Sequence, residues 1–324
     1  MMVVQDVSSV ADAESDFNLG QDMRVDEAVH VIMRHLLESM RTHEAGVIAG
    51  QDAEFLHDFR IAVRSHRVLL GQMHGVIPQR TLIRLRKGFL WLGKITTAQR
   101  DLDVYLLTLA AGKRDLVPLR EFYQHQQQLA HQQLVADLAS PRYTQLMAFW
   151  AAYLEAPLPV HSRLLYAQYP LADFANKRIW RMVRRVLKQG GAIQADSLAQ
   201  VLHELRKSCK KLRYLMAFFQ SLYPEKKMNK ALKALKSLQD LLGEYQDLQV
   251  QQAYLTDFKQ QAGANIPVYA LTAVYVRMSK MRKREDRLRQ LFERQFAEFA
   301  EHRYKLFKRL FKADKTADLK RARG

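Results

Sequence analysis

The stretch LHDFRIAVRSHR, residues 56–67, has a counterpart 146 residues downstream, LHELRKSCKKLR at 202–213. Under that offset His57, Arg60, Arg64 and Arg67 fall on His203, Arg206, Lys210 and Arg213. The basic residues are spaced three, four and three apart. At helical periodicity they gather within roughly 80° of arc, so each stretch reads as an amphipathic helix with one cationic face. The register then continues without a gap. It pairs Pro78 with Pro224, Arg80 with Lys226, Arg84 with Lys230, Lys87 with Lys233, Asp101 with Asp247, Leu102 with Leu248 and Val104 with Val250. Any two amphipathic helices share apolar matches. A helix-breaking proline and seven basic positions kept in step over about fifty residues point instead to a tandem duplication.

Working outward, nearly every segment from Asp22 onward carries apolar residues at helical spacing, and no alternating run suggests a strand. The expected fold is all-α. The spacing predicts helices over 22–44, 51–76, 79–111 and 115–139, answered by 170–189, 197–222, 225–259 and 268–312. Short loops between one-sided helices give two antiparallel four-helix bundles with a groove between them. Repeat one then covers about 22–160 and repeat two about 168–312, with a linker at 156–170 bracketed by Pro157, Pro159 and Pro170. Residues 1–21, polar and acidic, read as a disordered leader, and 313–324 as a frayed basic tail.

Composition narrows the function. Lys and Arg number 51 against 33 Asp and Glu, a net charge of +18, with a sequence pI near 9.9. Between Lys177 and Lys236 there are sixteen Lys/Arg and three acids, Asp196, Glu204 and Glu225. An excess this concentrated implies a polyanionic partner: nucleic acid, inorganic polyphosphate or an anionic membrane surface. The single cysteine, Cys209, excludes an internal disulfide and fits a reducing compartment. The first 23 residues hold no Lys or Arg, which argues against a secretory signal or transit peptide, and no apolar run approaches the roughly 20 residues of a membrane span. The expected location is the cytoplasm.

Further cationic stripes follow the same spacing: Arg80, Arg84 and Lys87; Arg178, Arg181, Arg185 and Lys188; Lys226, Lys230, Lys233 and Lys236; Arg277, Lys280, Arg284 and Arg287. Solvated helix faces usually carry acids one turn away, and these rarely do, so several such stripes favour an anion-binding surface. His57 and His203 admit two readings, donors to phosphate oxygens or braces within the bundle. Asp101, Asp103 and Asp247 read as carboxylates that orient an arginine. The HD dipeptide at 57–58 raises a metal-dependent phosphohydrolase, but the second copy has Glu204 in place of Asp58, and the surrounding arginines would repel a cation. HExxH, a glycine-rich phosphate loop and GxSxG are all absent. No catalytic residue, metal or cofactor is expected.

The paired motifs LHDFRIAVRSHRVLL with RDLDV, and LHELRKSCKKLRYLMAFF with LLGEYQDLQV, resemble those of the CHAD (conserved histidine α-helical domain) family over about 22–312. The resemblance implies two four-helix bundles related by a pseudo-twofold axis around a basic cavity that binds inorganic polyphosphate. His57, Arg60, Arg64, Arg67, His203, Arg206, Lys210 and Arg213 would line that cavity, and the other stripes would add to it. Two departures matter. Lys210 keeps the charge of its counterpart but lacks the planar fork. The ExExK strand of a CYTH triphosphate-tunnel domain, which many relatives carry, does not occur in residues 1–21, so triphosphatase chemistry is not expected. The expectation is non-enzymatic polyphosphate binding at polyphosphate granules. The alternative is an RNA- or DNA-binding module with Tyr214, Phe218, Phe219 and Tyr223 stacking bases, although their helical spacing reads more simply as core.

Overall fold

The computed structural model describes residues 17–110, 116–194, 196–261 and 266–312. Among them no strand occurs. The helices are α1 (Val25–Ala49), α2 (Ala53–Leu70), α3 (Gln79–Ile95), α4 (Thr97–Ala110), α5 (Val117–Leu138), α6 (Pro141–Glu155), α7 (Leu171–Gly191), α8 (Ala199–Phe218), α9 (Glu225–Gln261), α10 (Val268–Glu298) and α11 (Tyr304–Phe311). A π-helical turn, Phe299–Arg303, separates the last two. Local chemistry fixes many of the starts. Asp52 caps α2 by accepting from the Glu54 amide at 3.0 Å. Pro78, Pro170, Pro224 and Pro267 each stand immediately before a helix, where the fixed proline φ suits entry and no intrahelical N–H is missed.

The helices starting at Leu171, Ala199 and Glu225 follow those starting at Val25, Ala53 and Gln79 by 146 residues each. The same offset governs the contact between the chain entering α1 and the chain entering α7. Val25 N donates to Tyr169 O (3.2 Å) and Leu171 N to Met23 O (3.0 Å). Asp26 N donates to Ala167 O (2.9 Å) and Ala172 N to Gln21 O (3.1 Å). Within each pair, adding or subtracting 146 converts one bond into the other.

The core does not divide by halves. One continuous apolar cluster runs from Met33 on α1, Phe59 on α2 and Phe89 on α3 to Ile179 on α7, Leu212 on α8 and Leu235 on α9. A smaller cluster joins Tyr105, Leu119 and Tyr123 of α4 and α5 to Leu255, Phe258 and Val274 of α9 and α10. Burial of each large side chain contributes about 1.5–3 kcal/mol, and the cluster that gathers this stabilisation spans both halves. One polar group enters the large cluster fully satisfied. His66 Nδ1–H donates to Ala62 O (2.9 Å), Nε2 accepts from Trp150 Nε1 (3.0 Å), and the ring stacks on Phe89 at 4.3 Å. Burial outweighs the backbone interactions with Ala62 and Met33 and lowers its pKa to about 4, so the ring is neutral.

The structure corrects four boundaries. The helix expected over 79–111 is broken at Thr96. Thr96 Oγ1 donates to Leu92 O (2.9 Å) and Thr97 Oγ1 to Gly93 O (2.6 Å), local side-chain bonds that compete with the backbone ladder at this point. The positions 146 further on are Leu242 and Gly243, without hydroxyls, and α9 runs through them unbroken. The first half also holds a helix the periodicity left unassigned, α6, started by Ser140 Oγ accepting from the Tyr143 amide with Pro141 in its first turn. The helix expected over 268–312 is interrupted by the π-helical turn. Finally, residues 17–21 are no leader: Phe17 and Leu19 are buried, Phe17 packing edge-on to His35, because α1 and its neighbours leave an apolar face for them. The remainder of the expected leader, and the tail at 313–324, lie outside the described residues.

Candidate anion-binding site

Helices α2 and α8 meet across the two halves, with Arg64 Nη1 donating to Tyr214 OH at 3.4 Å. One turn earlier on α2, Arg60 Nη1 donates to Thr96 Oγ1 (2.7 Å) and Thr97 Oγ1 (3.3 Å). The break between α3 and α4 thus supplies the acceptors that hold Arg60. Half-buried Asp101, one turn into α4 from Thr97, sits among Arg60, Arg100, Arg64 and Arg206. Burial pushes its carboxyl upward and those arginines, drawn from both halves, pull against the rise. Arg67 lies over Gly93 of α3, where a Cβ would stand 2.5 Å from Nη1, so only glycine leaves the guanidinium its place. Partial burial, and then Arg64, hold the Arg67 pKa down. Lys211 of α8 is lowered first by burial, then by Arg185 and Lys207, with Arg67 adding to the effect and Glu204 opposing it. Arg60, Arg64, Arg67, Arg185, Arg206 and Lys211 therefore form one cationic seam. Like charges gathered in partial burial repel, and a bound anion relieves that repulsion.

Both histidines are held through Nδ1. Arg100 donates to Ala53 O (3.2 Å) and to buried His57 Nδ1 (2.8 Å). A guanidinium only donates, so this nitrogen of His57 accepts. Half-buried His203 donates from Nδ1 to Gln246 Oε1 at 2.6 Å, and Gln246 is the residue 146 positions after Arg100. Lys210 and Arg213 are half-buried on α8, with Arg213 and Lys236 drawing on the carboxylate of Asp240.

The other stripes are placed differently. Exposed Arg80, Arg84 and Lys87 lie roughly 150° around α3 from Gly93, on the side facing α6, where Arg84 stacks 3.7 Å above Phe149. They do not join the seam. Lys226 is exposed, while Lys230 and Lys233 line a cavity of about 420 Å³ with Ser237, Gln295, Glu298 and Phe299. Arg178 is half-buried against the loop after α2, and Arg181 and Arg185 continue from it along exposed positions of α7. On α10, Arg284 is held by Glu244 through two bonds of 2.6 and 2.9 Å. Asp103 does not orient an arginine as expected. It accepts from Gln99 (2.8 Å) and Gln127 (2.6 Å), amides that lie closer and tie α4 to α5. Asp247 is exposed on α9. Tyr214, Phe218 and Phe219 are buried, and half-buried Tyr223 donates to Asn176 Oδ1 at 2.9 Å, so these rings offer no platform for bases. Sequence reasoning missed Lys211, which falls outside the three-four-three spacing; its adjacency to Lys210 was the available signal. Among the described residues no His/Cys/Asp/Glu group is arranged to hold a metal, and no helix is long and apolar enough to cross a membrane.

An all-helical protein with a cationic seam between its halves is thus the class that fold and site define, and solved structures share the architecture. The crystal structure of the CHAD domain from the plant Ricinus communis superposes with a TM-score of 0.72 at 28% identity, covering 88% of this chain and 95% of that one. PptA from Streptomyces chartreusis superposes with a TM-score of 0.62, covering 85% of this chain and 100% of that one; at 13% identity the likeness is of fold alone. The CHAD domain family model matches residues 31–256, and the chain belongs to the CHAD family. No curated protein matches the sequence.

Proposed function

We propose that this protein binds inorganic polyphosphate, without turning it over, along the seam where α2 and α8 meet. The observation that carries the reading is the convergence of Arg60, Arg64 and Arg206, cations from both halves, around the single carboxylate of Asp101. Polyphosphate carries about one negative charge per unit and no bases, so a row of guanidinium forks and ammonium groups suits it. The interchanged backbone bonds at Val25 and Leu171, and the three helix starts in step, support a duplicated chain with a pseudo-twofold axis passing between those residues. Under that reading His57 and His203 hold equivalent places. A non-enzymatic role rests on the cationic surroundings of His57 and on Asp58, which stands 3.4 Å from His43. The place for such a protein is the cytoplasm, at polyphosphate granules. The nucleic-acid alternative loses its proposed stacking rings to the core.

The test is displacement of labelled polyphosphate by unlabelled polyphosphate and by single-stranded RNA matched for charge, across several salt concentrations. Polyphosphate displaces more strongly, and affinity falls steeply with salt as counterions are released. Equal or stronger displacement by RNA overturns the reading.

A further inference from the structure

Resting on the polyphosphate reading above, we propose that the loop between α2 and α3 carries a second phosphate subsite, formed by His74, Arg86, Lys177 and Arg178, over which a long polyphosphate chain leaves the central seam. The loop is rigidly placed. Gly75 adopts a φ of 78°, and a Cβ there would stand 2.9 Å from the Tyr166 ring, so glycine is required on both counts. Tyr166 N donates to Gly75 O at 2.8 Å, fastening the loop to the chain that leads into α7.

This arrangement sets exposed His74 between two cationic helices. Arg86 of α3 donates to His74 Nε2 (3.1 Å) and Arg178 of α7 to His74 O (3.4 Å). Aromatic faces hold the α7 cations in position: Arg178 lies 5.4 Å from the centre of Tyr166 and 4.9 Å from that of Phe174, and Lys177 5.6 Å from Tyr166. α3 contains no acidic residue, and α7 has one, Asp173, against six Lys/Arg. Cations held in place around one loop, on helices this poor in acids, make a ready seat for phosphate oxygens.

The subsite is continuous with the seam. From Arg178 the cations step through Arg181 to Arg185, a rise of about 10 Å along α7, and Arg185 neighbours Lys211, which neighbours Arg67. A short oligomer seated in the seam does not reach His74. A long one engages both places at once and gains avidity from the link.

The experiment measures binding of tripolyphosphate and of chains of roughly 100 phosphates to the unmodified protein, to the Arg86→Gln, Lys177→Gln double variant, and to Arg64→Gln. Arg86 and Lys177 are exposed, and circular dichroism establishes that the double variant keeps its helices. The double variant should lose about tenfold in long-chain affinity while its tripolyphosphate affinity stays within about twofold, and Arg64→Gln should weaken both. Unchanged long-chain affinity in the folded double variant removes the subsite and leaves the seam intact. An equal loss for both lengths also overturns it, by assigning these residues to the seam. Failure of the unmodified protein to bind either length sinks the polyphosphate reading itself.

Discussion

Helices α2 and α8, whose starts lie 146 residues apart, are finished differently. On α2, Arg60 is anchored by Thr96 and Thr97, Arg64 reaches Tyr214, and His57 is held by Arg100. On α8 the counterpart of Arg64 is Lys210, and His203 is held by an uncharged amide, Gln246. The interior differs too: His66, bonded to Trp150, stands where α8 has Leu212. α2 carries guanidinium groups at all three matched positions and places a bonded histidine in the core, whereas α8 has an ammonium group at one of the three and a leucine in that core position. Under the polyphosphate reading, α2 therefore offers one more planar fork than α8.

The largest expected effect concerns the interior. His66 is neutral when folded, with a pKa near 4 against 6.5 in an unfolded chain, so the unfolded state binds the proton first as pH falls. The stability its depressed value confers is present above pH 6.5 and is lost as pH falls toward 4, by about 3 kcal/mol at about 1.4 kcal/mol per pH unit. Urea midpoints measured across that window should drop steeply, and His66→Leu, which copies α8, should flatten the drop while lowering stability at neutral pH through the orphaned Trp150 N–H. A midpoint indifferent to His66→Leu across the window breaks this part of the contrast.

Next in size is the carboxylate within the seam. Asp101 is surrounded by arginines and half-buried, while its counterpart Asp247 is exposed. Asp101→Asn should strengthen polyphosphate binding about tenfold at neutral pH by removing a like charge from the ligand's place, and Asp247→Asn should leave it within about twofold. The Asp101 carboxyl is raised on folding, so its contribution to stability is present below the unfolded value and lost as pH rises through the folded one. The affinity advantage of Asp101→Asn should accordingly fade in acid, where the native carboxyl is itself protonated. Titrations from neutral to acidic pH check both statements.

The smallest effect sharpens the contrast directly. Lys210→Arg gives α8 the fork of α2 and should tighten polyphosphate binding by about twofold to threefold. A loss of affinity on this exchange would mean that the seam around Lys210 is shaped for an ammonium group.

Much of this contrast was legible in the sequence, and the unread part has definite causes. Apolar residues at helical spacing from Asp22 onward were enough for the all-helical class, and His57 and His203 before matching basic residues drew attention to α2 and α8. Periodicity reveals which residues share a helix face but not what that face meets. Arg80, Arg84 and Lys87 satisfy the same spacing as Arg60, Arg64 and Arg67, yet Arg84 stacks on Phe149 of α6. The break at Thr96 was hidden because threonine is tolerated inside helices, and only the reach of Arg60 to both hydroxyls shows its use. Arg67 over Gly93 is a contact between residues that no local pattern links. Phe17 and Leu19 lay in a polar, acidic stretch whose composition masked two buried anchors.

The central claim is that one site draws on both halves. Its most direct test is the affinity of Arg64→Glu and of Lys210→Glu for long polyphosphate, each variant first checked for native helicity. Each reversal replaces an attraction with a repulsion, so each should cost about 1–3 kcal/mol of binding, with Arg64 toward the upper end. For a short oligomer the double variant should depart from the sum of the singles, because one ligand couples the two positions. If Lys210→Glu folds normally and binds like the unmodified protein while Arg64→Glu does not, the second half contributes nothing to the site and the shared seam is refuted.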